Sequence, residues 1–335
     1  MIDPVTGFAY PESWVAKCQD NKALALAKNG FGVLTSNGSV LRRGFTTGST
    51  AAAACFAAVA SLAGLVTVSP VLLPCGIMAE IPANGKDGEG TARKFSGDYP
   101  ADITAGILIC AKAVPAQEIT LETGEGIGRF VRDTPRYAKG VAAVSPPAKK
   151  EILDAISAAC KTAGIKGASV YLTIPKGREI GLLTLNPKVG VEGGISVVGT
   201  TGFVEPWDDH LTETVGERIS EAERVVITTG RIGLRYSRLL FPEYEVVLAG
   251  SKIAESLAAA EHCANAVLCG LPGLILRFFD PDAATSRGFA TVEEMMAGPN
   301  GKITLDEELK AAKLKYPRLR IVIIDRSGQV LGDTK

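Results

Sequence analysis

The chain has 335 residues, 46% of them hydrophobic and 21% charged, and its 36 basic side chains balance its 36 acidic ones. This composition excludes a disordered chain, a collagen and a coiled coil, and the lack of a basic excess argues against a general nucleic-acid binder. At about 100–200 residues per domain, the length predicts two domains.

The numbers and positions of cysteine and histidine limit which disulfide and metal sites the chain can form. The seven cysteines are scattered without a CxxC pair, and the two histidines are His210 and His262. This pattern predicts reduced thiols in a cytoplasmic protein, with no protein-ligated metal. We interpret both histidines as surface or capping residues.

The first forty residues, 1–40, are predicted to form an N-terminal extension with one helix, Ser13–Lys28, and no targeting sequence. An alanine-rich stretch, Ala51–Val68, lies beyond it. Because this stretch is too short and too weakly apolar to span a membrane, we expect a buried helix.

Residues 41–218 mix strand-like and helical patterns without strict alternation, which predicts an α+β two-layer domain. A second helix, Ala148–Gly164, has helical spacing and ends on glycine. The predicted strands are Val68–Leu73, Ile103–Val114, Glu118–Gly124 and Ala168–Gly177.

Residues 219–335 show apolar strands that end near glycine and alternate with helices, which predicts an α/β Rossmann-like domain. The boundary is expected in the polar stretch Asp208–Glu223. The predicted strands are Val225–Gly230, Glu245–Gly250, Ala266–Gly270 and Arg320–Asp325.

Several loops place Thr or Ser beside Gly at a strand end or a helix start. GFTTGSTAAAA (Gly44–Ala54) combines hydroxyls, glycine and free helix N–H groups, which favours an anion. An ordinary helix cap is the alternative, and the loop also bears a loose likeness to the glycine-serine loop of small-molecule kinases. TGEGIGRF (Thr123–Phe130) is either a ligand loop or a hairpin turn.

Two further loops and an acidic stretch complete the set. GGISVVGTTGFVEPW (Gly193–Trp207) places Glu205 after a Gly-Thr-Thr-Gly turn, and TTGRIG (Thr228–Gly233) opens the last third. The latter lacks the dinucleotide fingerprint, so NAD is a poor fit. Asp98 and Asp102 are either turn formers or a carboxylate pair facing a substrate.

The same residues carry a family resemblance. LRRGFTTGSTAAAA, KFSGDYPADITAG, GEGIG and TLNPKVGVEGGISVVGTTGFVEP occur in order along the chain. They resemble the motifs of the cobalt-precorrin-5B C1-methyltransferases, the CbiD family of anaerobic cobalamin biosynthesis. The resemblance covers about Leu41 to Glu205 well and the last third loosely.

The resemblance implies transfer of a methyl group from S-adenosylmethionine to C1 of a cobalt-bearing tetrapyrrole. Cobalt would then arrive with the substrate. The acetate and propionate groups on such a macrocycle suit arginines and helix starts. Methyl transfer needs alignment of donor and acceptor more than a protein nucleophile. Other cobalamin-pathway enzymes and a second copy of the chain are partners left open, whereas nucleic acid and membrane are not expected.

The loops and the matched stretches give the candidate site residues. The proposed catalytic acids are Glu205, Asp98 and Asp102. The proposed substrate or cofactor contacts are Arg43, Thr46, Thr47, Gly48, Ser49, Thr104, Gly126, Asn186, Gly199, Thr200, Thr201, Gly202, Thr229, Gly230 and Arg231.

The chain departs from the family in the last third. Where the family has Gly-His-x-Gly-Lys-x-x-Lys, this sequence has Leu271, Leu274 and Arg277 at the His and two Lys places. These departures leave open a tetrapyrrole-binding paralogue that is non-catalytic or has altered specificity. A kinase-like phosphate-handling enzyme is a second alternative, which rests on the Thr-Gly-Ser loop alone.

Overall fold

The computed structural model describes residues 1–99, 102–134, 137–206 and 215–335. These residues form a mixed α/β fold with several sheets. The N-terminal segment contains α1 (Glu12–Lys17), α2 (Asn21–Lys28), β1 (Gly32–Leu34) and β2 (Val40–Arg42).

The middle of the chain contains two long helices and many strands. Its elements are β3 (Gly44–Phe45), α3 (Thr47–Ala60), β4 (Val66–Leu72), β5 (Met78–Lys86), β6 (Glu89–Arg93), β7 (Leu108–Ala116), β8 (Thr120–Thr123), β9 (Gly126–Ile127), β10 (Arg129–Phe130), α4 (Pro146–Ala163), β11 (Gly167–Thr173), α5 (Gly177–Leu182), a 3-10 turn (Pro187–Val189), β12 (Val191–Glu192), β13 (Gly194–Ile195) and β14 (Phe203–Val204).

The last third alternates strands and helices. Its elements are α6 (Val215–Ser220), β15 (Arg224–Thr228), α7 (Gly230–Leu240), β16 (Glu245–Leu248), α8 (Ile253–Ala259), β17 (Asn265–Gly270), α9 (Pro272–Phe279), a 3-10 turn (Thr285–Arg287), α10 (Val292–Ala297), α11 (Gly301–Lys315), β18 (Arg320–Ile324) and β19 (Val330–Asp333).

The larger sheet has the strand order β4-β5-β6-β7-β11-β8, antiparallel except where β11 pairs with β8. Side chains along β5 alternate between buried and exposed, so one face of the sheet packs on the core. Helix α3 lies on that buried face and also packs against α4.

Small residues explain how α3 is buried along its whole length. A Cβ on Gly90 of β6 would lie 2.2 Å from the carbonyl oxygen of Ala54, and one on Gly85 of β5 would lie 2.3 Å from that of Ala57. Only glycine lets the helix backbone approach the sheet this closely. The predicted buried helix is confirmed, with bounds Thr47–Ala60.

The smaller sheet has the order β16-β15-β17-β18-β19, with the first four strands parallel and β19 antiparallel. Both of its faces are buried. Val225 and Ile227 face a core shared with α8, α9 and α11, while Val226 faces a core shared with α7.

The N-terminal segment completes the second of these cores. Tyr10, Trp14, Val33 and Leu34 are buried with Val226 and with residues of α7. Strand β1 pairs with β2, and the chain then passes through β3 into α3, the helix that lies on the larger sheet. The segment is therefore also connected to the part of the fold that contains the larger sheet. The division at 1–40, 41–218 and 219–335 stays a prediction.

Two predicted elements differ from the structure. The single helix predicted over Ser13–Lys28 is wrong, because Asp20 interrupts it and caps α2 by accepting hydrogen bonds from the N–H groups of Lys22 and Ala23. The strand predicted from Ile103 begins at Leu108, because Gly106 occupies a turn with φ +70°. Across the described residues, no helix has the length and apolarity that a membrane crossing requires.

Candidate functional site

The loop at the start of α3 packs directly against the Gly-Thr-Thr-Gly turn, so the structure brings two of the predicted loops together. Thr46 donates its N–H to the carbonyl of Gly202 (3.0 Å), and Gly48 donates its N–H to Val198 (3.0 Å). A Cβ on Gly199 would lie 2.5 Å from the hydroxyl of Thr46. The family-like segments therefore form one continuous piece of structure.

The hydroxyl groups of this loop make internal hydrogen bonds. Thr46 caps α3 by accepting from the N–H of Ser49 (3.2 Å), and Ser49 donates its hydroxyl to Gly202 (2.8 Å). The Thr47 hydroxyl donates to the carbonyl of Ser196 (3.1 Å) and accepts from the N–H of Val198 (2.9 Å). These contacts hold the two loops together, and ligand contacts by Thr46, Thr47, Gly48 and Ser49 stay predictions.

Thr200 and Thr201 lie on the outer side of the turn, exposed and half-buried respectively. Thr201 accepts the N–H of Phe203 (3.2 Å), which tightens the turn before β14. Gly202 has φ +90°, and a Cβ there would lie 2.8 Å from Leu73. The turn thus needs glycine for both its backbone angle and its packing.

Arg43 and Glu205 belong to a buried ion-pair network. The Arg43 guanidinium donates through Nε to Glu205 (2.8 Å) and through Nη2 to Asp3 (2.6 Å), and its Nη1 bonds to the carbonyls of Gly30 and Gly32. Arg43 and Asp3 are almost fully buried, whereas the Glu205 side chain is 13% exposed. Burial acts to raise the pKa of Asp3, but the hydrogen bond and charge of Arg43 hold it below its ordinary value.

This network ties the N-terminal segment to the Gly-Thr-Thr-Gly loop. The guanidinium donates hydrogen bonds to two carboxylates and two carbonyls. These bonds stabilise the fold, since a buried charge must be paired. Asp3 was not foreseen from the sequence. A catalytic role for Glu205 and ligand binding by Arg43 stay predictions.

Asp98 and Asp102 have different basic partners. Asp98 accepts hydrogen bonds from the backbone N–H of Arg42 (2.8 Å) and from its guanidinium (2.8 Å), while Asp102 pairs with Lys94. Thr104 donates its N–H (2.9 Å) and hydroxyl (2.6 Å) to Asp102. Burial opposes ionisation of both acids, yet the hydrogen bonds of Arg42 and the charge of Lys94 keep their pKa values below the ordinary one. Both carboxyls are therefore ionised at neutral pH.

Gly126 and Asn186 stabilise the loops behind the site. A Cβ on Gly126 would lie 1.8 Å from the carbonyl oxygen of Ile174, and β9 pairs in parallel with β13. Asn186 is buried, donates to the carbonyl of Gly194 (3.3 Å) and accepts the hydroxyl of Ser196 (3.1 Å). Both positions fix the backbone that leads to the Thr47 contact.

Glu151 on α4 is a buried acid that the sequence analysis missed. It is 3% exposed, and within the described part of the chain neither of its carboxyl oxygens has a hydrogen-bond partner. Burial raises the pKa of Glu151 to about 7, and the nearby Ser49 offsets this only in part. The spacing Ala148, Glu151, Ala155 puts this acid on the buried stripe of the helix, which is the signal that could have revealed it.

A second location is a cavity of about 370 Å³ at the carboxyl ends of the parallel strands of the smaller sheet. Thr229 and Gly230 line it after β15, Leu271 and Leu274 after β17, and Asp325 after β18. In the order β16-β15-β17 the chain changes direction between β15 and β17, and such switch points are where ligands bind in open parallel sheets.

Two helices start at this cavity. Helix α7 follows Thr229 and helix α9 follows Leu271, and in the described structure neither residue provides a side-chain cap. The N–H groups of the first turns, which in α9 begin at Gly273 because Pro272 has none, can therefore face a negatively charged group. Glu293 and Asp325 add carboxylates, and Met296 and Leu331 add apolar surface. Arg231 is not among the described residues that line the cavity.

Among the described cysteines, Cys75 reaches the first location through its backbone, donating its N–H to the carbonyl of Thr201 (3.2 Å). His262 is exposed and near Cys263, while His210 lies outside the described residues. Among the residues that the structure describes, no group of three or more His, Cys, Asp or Glu side chains is placed to hold a metal ion.

Comparison with known proteins decides the family. The CbiD family model matches residues 34–206, which includes both family-like loops. The chain belongs to the CbiD family. It is 52% identical to a cobalt-precorrin-5B C(1)-methyltransferase of Methanoculleus marisnigri, with 99% of each chain covered. It is 51% identical to that of Methanoregula boonei, with both chains covered completely.

A solved CbiD structure supports the fold over the same length. The crystal structure of the cobalamin biosynthesis protein CbiD from Archaeoglobus fulgidus is 34% identical, with a TM-score of 0.56, and covers 97% of this chain and 100% of that one. Complete alignment with the Methanoregula boonei protein also shows that residues 1–40 have a counterpart in another CbiD protein. The departures at Leu271 and Leu274 lie in the lining of the cavity beside β17.

Proposed function

We propose that the chain transfers a methyl group from S-adenosylmethionine to C1 of cobalt-precorrin-5B, giving cobalt-precorrin-6A in cobalamin biosynthesis. The observation that carries this proposal is similarity over the full length, at 43–52% identity, to proteins named cobalt-precorrin-5B C(1)-methyltransferase. S-adenosylmethionine supplies an electrophilic methyl group on sulfur, and the sulfur keeps the bonding electron pair when an electron pair of C1 forms the new bond.

We infer that the last third is a Rossmann-like unit and that the donor binds in its cavity. The parallel strands, the two buried faces and the switch point between β15 and β17 support this inference. Small-molecule sites have volumes of roughly 300–1,000 Å³. A cavity of about 370 Å³ suits a ligand of nucleoside size better than a tetrapyrrole.

The lining of the cavity matches the charges of the donor. The N–H groups at the starts of α7 and α9 can bind the carboxylate of its methionine part. Asp325 can bind the ammonium group or the ribose hydroxyls, and Glu293 can do so while paired with Arg326 of the same lining (3.3 Å). Met296 and Leu331 offer apolar contact for the adenine ring.

The substrate is proposed to lie between this cavity and the Gly199–Gly202 turn. Methyl transfer depends on holding the donor carbon and the acceptor carbon in line, which two rigid loops can do without a protein nucleophile. Thr200 is exposed on that turn and is the threonine best placed for substrate contact. Roles for Glu205, Asp98 and Asp102 in taking up a proton remain part of the hypothesis.

Ligand titration tests the donor site. S-adenosylhomocysteine is expected to bind the wild-type protein, and ATP is expected not to bind. Leu274→Trp, at a half-exposed position in the lining, should weaken S-adenosylhomocysteine by at least about tenfold because the indole fills the cavity. Leu314→Trp, at an exposed position on α11, is the matched control and should bind like the wild type.

The outcomes distinguish the three candidate functions of the chain. Binding of ATP alone would favour the kinase-like alternative, and binding of neither ligand would favour a non-catalytic tetrapyrrole-binding paralogue. Wild-type affinity in Leu274→Trp would place the donor outside the cavity. In the complete assay, cobalt-precorrin-5B should gain one methyl group only when S-adenosylmethionine is present.

A further inference from the structure

An unusual apolar surface lies between α5 and β12. Leu182 is 74% exposed, Leu183 68%, Leu185 40% and Val189 54%, all within eight consecutive residues. These four side chains are here called the leucine platform. Single exposed apolar side chains are ordinary, but four of them within one short segment are the kind of exposed apolar surface that marks a binding site.

Hydrogen bonds hold the platform rigidly. The buried Asn186 lies in its middle, and its side chain bonds to Gly194 and Ser196. The carbonyl of Asn186 accepts the N–H groups of Val189 (3.1 Å) and Val191 (2.9 Å). A flexible loop could hide its leucines, whereas this clamped loop keeps them turned to solvent. The exposure is therefore a property of the folded chain.

The platform is connected to the site at the start of α3. Ser196, which bonds to Asn186, also accepts the hydroxyl hydrogen bond of Thr47. The leucine platform, Asn186 and the start of α3 thus form one fixed unit. A ligand on the platform would be held at a defined distance from the Gly-Thr-Thr-Gly turn.

Basic residues predominate in the sequence that carries the apolar surface. Between residues 176 and 189 the charged residues are Lys176, Arg178, Lys188 and a single acid, Glu179. Arg178 lies four residues before Leu182 on α5, so the two side chains share one face of the helix. The surface therefore combines an apolar centre with a basic border.

We propose that the leucine platform binds the apolar face of the cobalt tetrapyrrole, with Arg178 and Lys176 binding carboxylates on its rim. This inference rests on the proposed function, which supplies a substrate of that chemistry. A macrocycle with apolar ring atoms and carboxylates at its border complements the platform in polarity and charge. A second copy of this chain would bring the same basic border against itself, which opposes a symmetric contact.

The test compares a double leucine variant and a single arginine variant with a matched control. The probe is cobalt uroporphyrin, a stable tetrapyrrole that carries acetate and propionate groups. Leu182→Ser with Leu183→Ser should weaken its binding at least tenfold, and Arg178→Gln should weaken it less and reduce its dependence on salt. Leu314→Ser, an 85% exposed leucine on α11, should bind as the wild type does. Because the altered side chains are exposed, all variants should fold.

S-adenosylhomocysteine binding and KM for cobalt-precorrin-5B complete the design. The double variant should keep wild-type affinity for S-adenosylhomocysteine and show a raised KM. If the double variant binds the tetrapyrrole as tightly as the wild type does, the proposal that the platform binds the tetrapyrrole is wrong. This holds even if the wild-type enzyme transfers methyl groups, in which case the proposed function stands.

Three other outcomes are also decisive. If the wild type transfers no methyl group, the proposed function fails, and the platform is then judged on tetrapyrrole binding alone. A wild type that binds no tetrapyrrole would overturn the platform. So would a wild-type dimer that the double variant converts to a monomer in sedimentation, because the platform would then be an interface between copies.

Discussion

Glu151→Gln tests the energetic cost of the buried acid beside the start of α3. In the folded chain Glu151 is 3% exposed and without a hydrogen-bond partner among the described residues, and its pKa is raised from 4.5 to about 7. Glutamine has nearly the same shape and cannot ionise. The substitution therefore removes the charge while leaving the packing against α3 in place.

The direction in which stability changes with pH follows from the protons that Glu151 binds in the folded and unfolded chains. Below pH 4.5 the carboxyl is protonated in both folded and unfolded chains, so it costs nothing. Between pH 4.5 and 7 the unfolded chain ionises first, and the folded chain binds more protons, so stability falls as pH rises. Above pH 7 the full cost is present. The increase from 4.5 to about 7 corresponds to about 3 kcal/mol.

Urea unfolding of both proteins between pH 4 and pH 8 gives the required free energies. The free energy of unfolding of Glu151→Gln minus that of the wild type should rise by about 3 kcal/mol over this interval. An unpaired buried amide adds a constant penalty of about 1–3 kcal/mol, which leaves this rise unchanged. Asp154→Asn removes an exposed acid from the same helix. Its free energy of unfolding minus that of the wild type should change by less than about 1 kcal/mol over the same pH interval. Parallel curves for wild type and Glu151→Gln would refute the assignment of an ionisation cost to burial.

Two further predictions concern stability. Asp3→Asn should destabilise the protein by about 3 kcal/mol in urea unfolding at pH 7, because it leaves buried Arg43 with one carboxylate fewer, while the exposed control Glu89→Gln should cost clearly less. Equal losses would show that the buried network adds nothing. Gly90→Ala should lower stability by about 2 kcal/mol or more, since the methyl group would meet the backbone of α3. Gly64→Ala, where the methyl group meets nothing within 4 Å, is the control, and an unchanged melting midpoint in Gly90→Ala would contradict the close packing.

Local patterns predicted the regular elements well. Apolar runs ending near glycine indicated strands at Val225, Glu245, Ala266 and Arg320, and the structure has a strand at each position. Helix α4 ends at Gly164, whose left-handed φ of +68° is the reason that glycine stops the helix there.

Long-range contacts were beyond the sequence pattern. Nothing in residues 1–40 indicated that Trp14 and Leu34 would cover one face of a sheet formed two hundred residues later. Likewise the pairing of Arg43 with Asp3 depends on the path of the chain and not on local spacing. These contacts arise from tertiary packing, which periodicity does not encode.

At the candidate site, too, the sequence indicated the local segments but not the contacts that their side chains make. The resemblance of the Thr46–Ser49 loop and the Gly199–Gly202 turn to family motifs marked both as important, and the structure places them in contact. The hydroxyl groups of Ser49 and Thr47 proved to be occupied by hydrogen bonds to the backbone of Gly202 and Val198. Hydroxyl groups beside glycine bind anions and cap helices with the same chemistry, so the sequence alone left both roles open.

The most direct test of the proposed reaction uses S-adenosylmethionine with a deuterated methyl group. Purified protein, the labelled donor and cobalt-precorrin-5B are incubated together, and the tetrapyrrole is analysed by mass spectrometry with fragmentation. The account predicts one intact deuterated methyl group at C1 and one S-adenosylhomocysteine for each product formed. Recovery of unlabelled tetrapyrrole, or a label at another ring carbon, would contradict it.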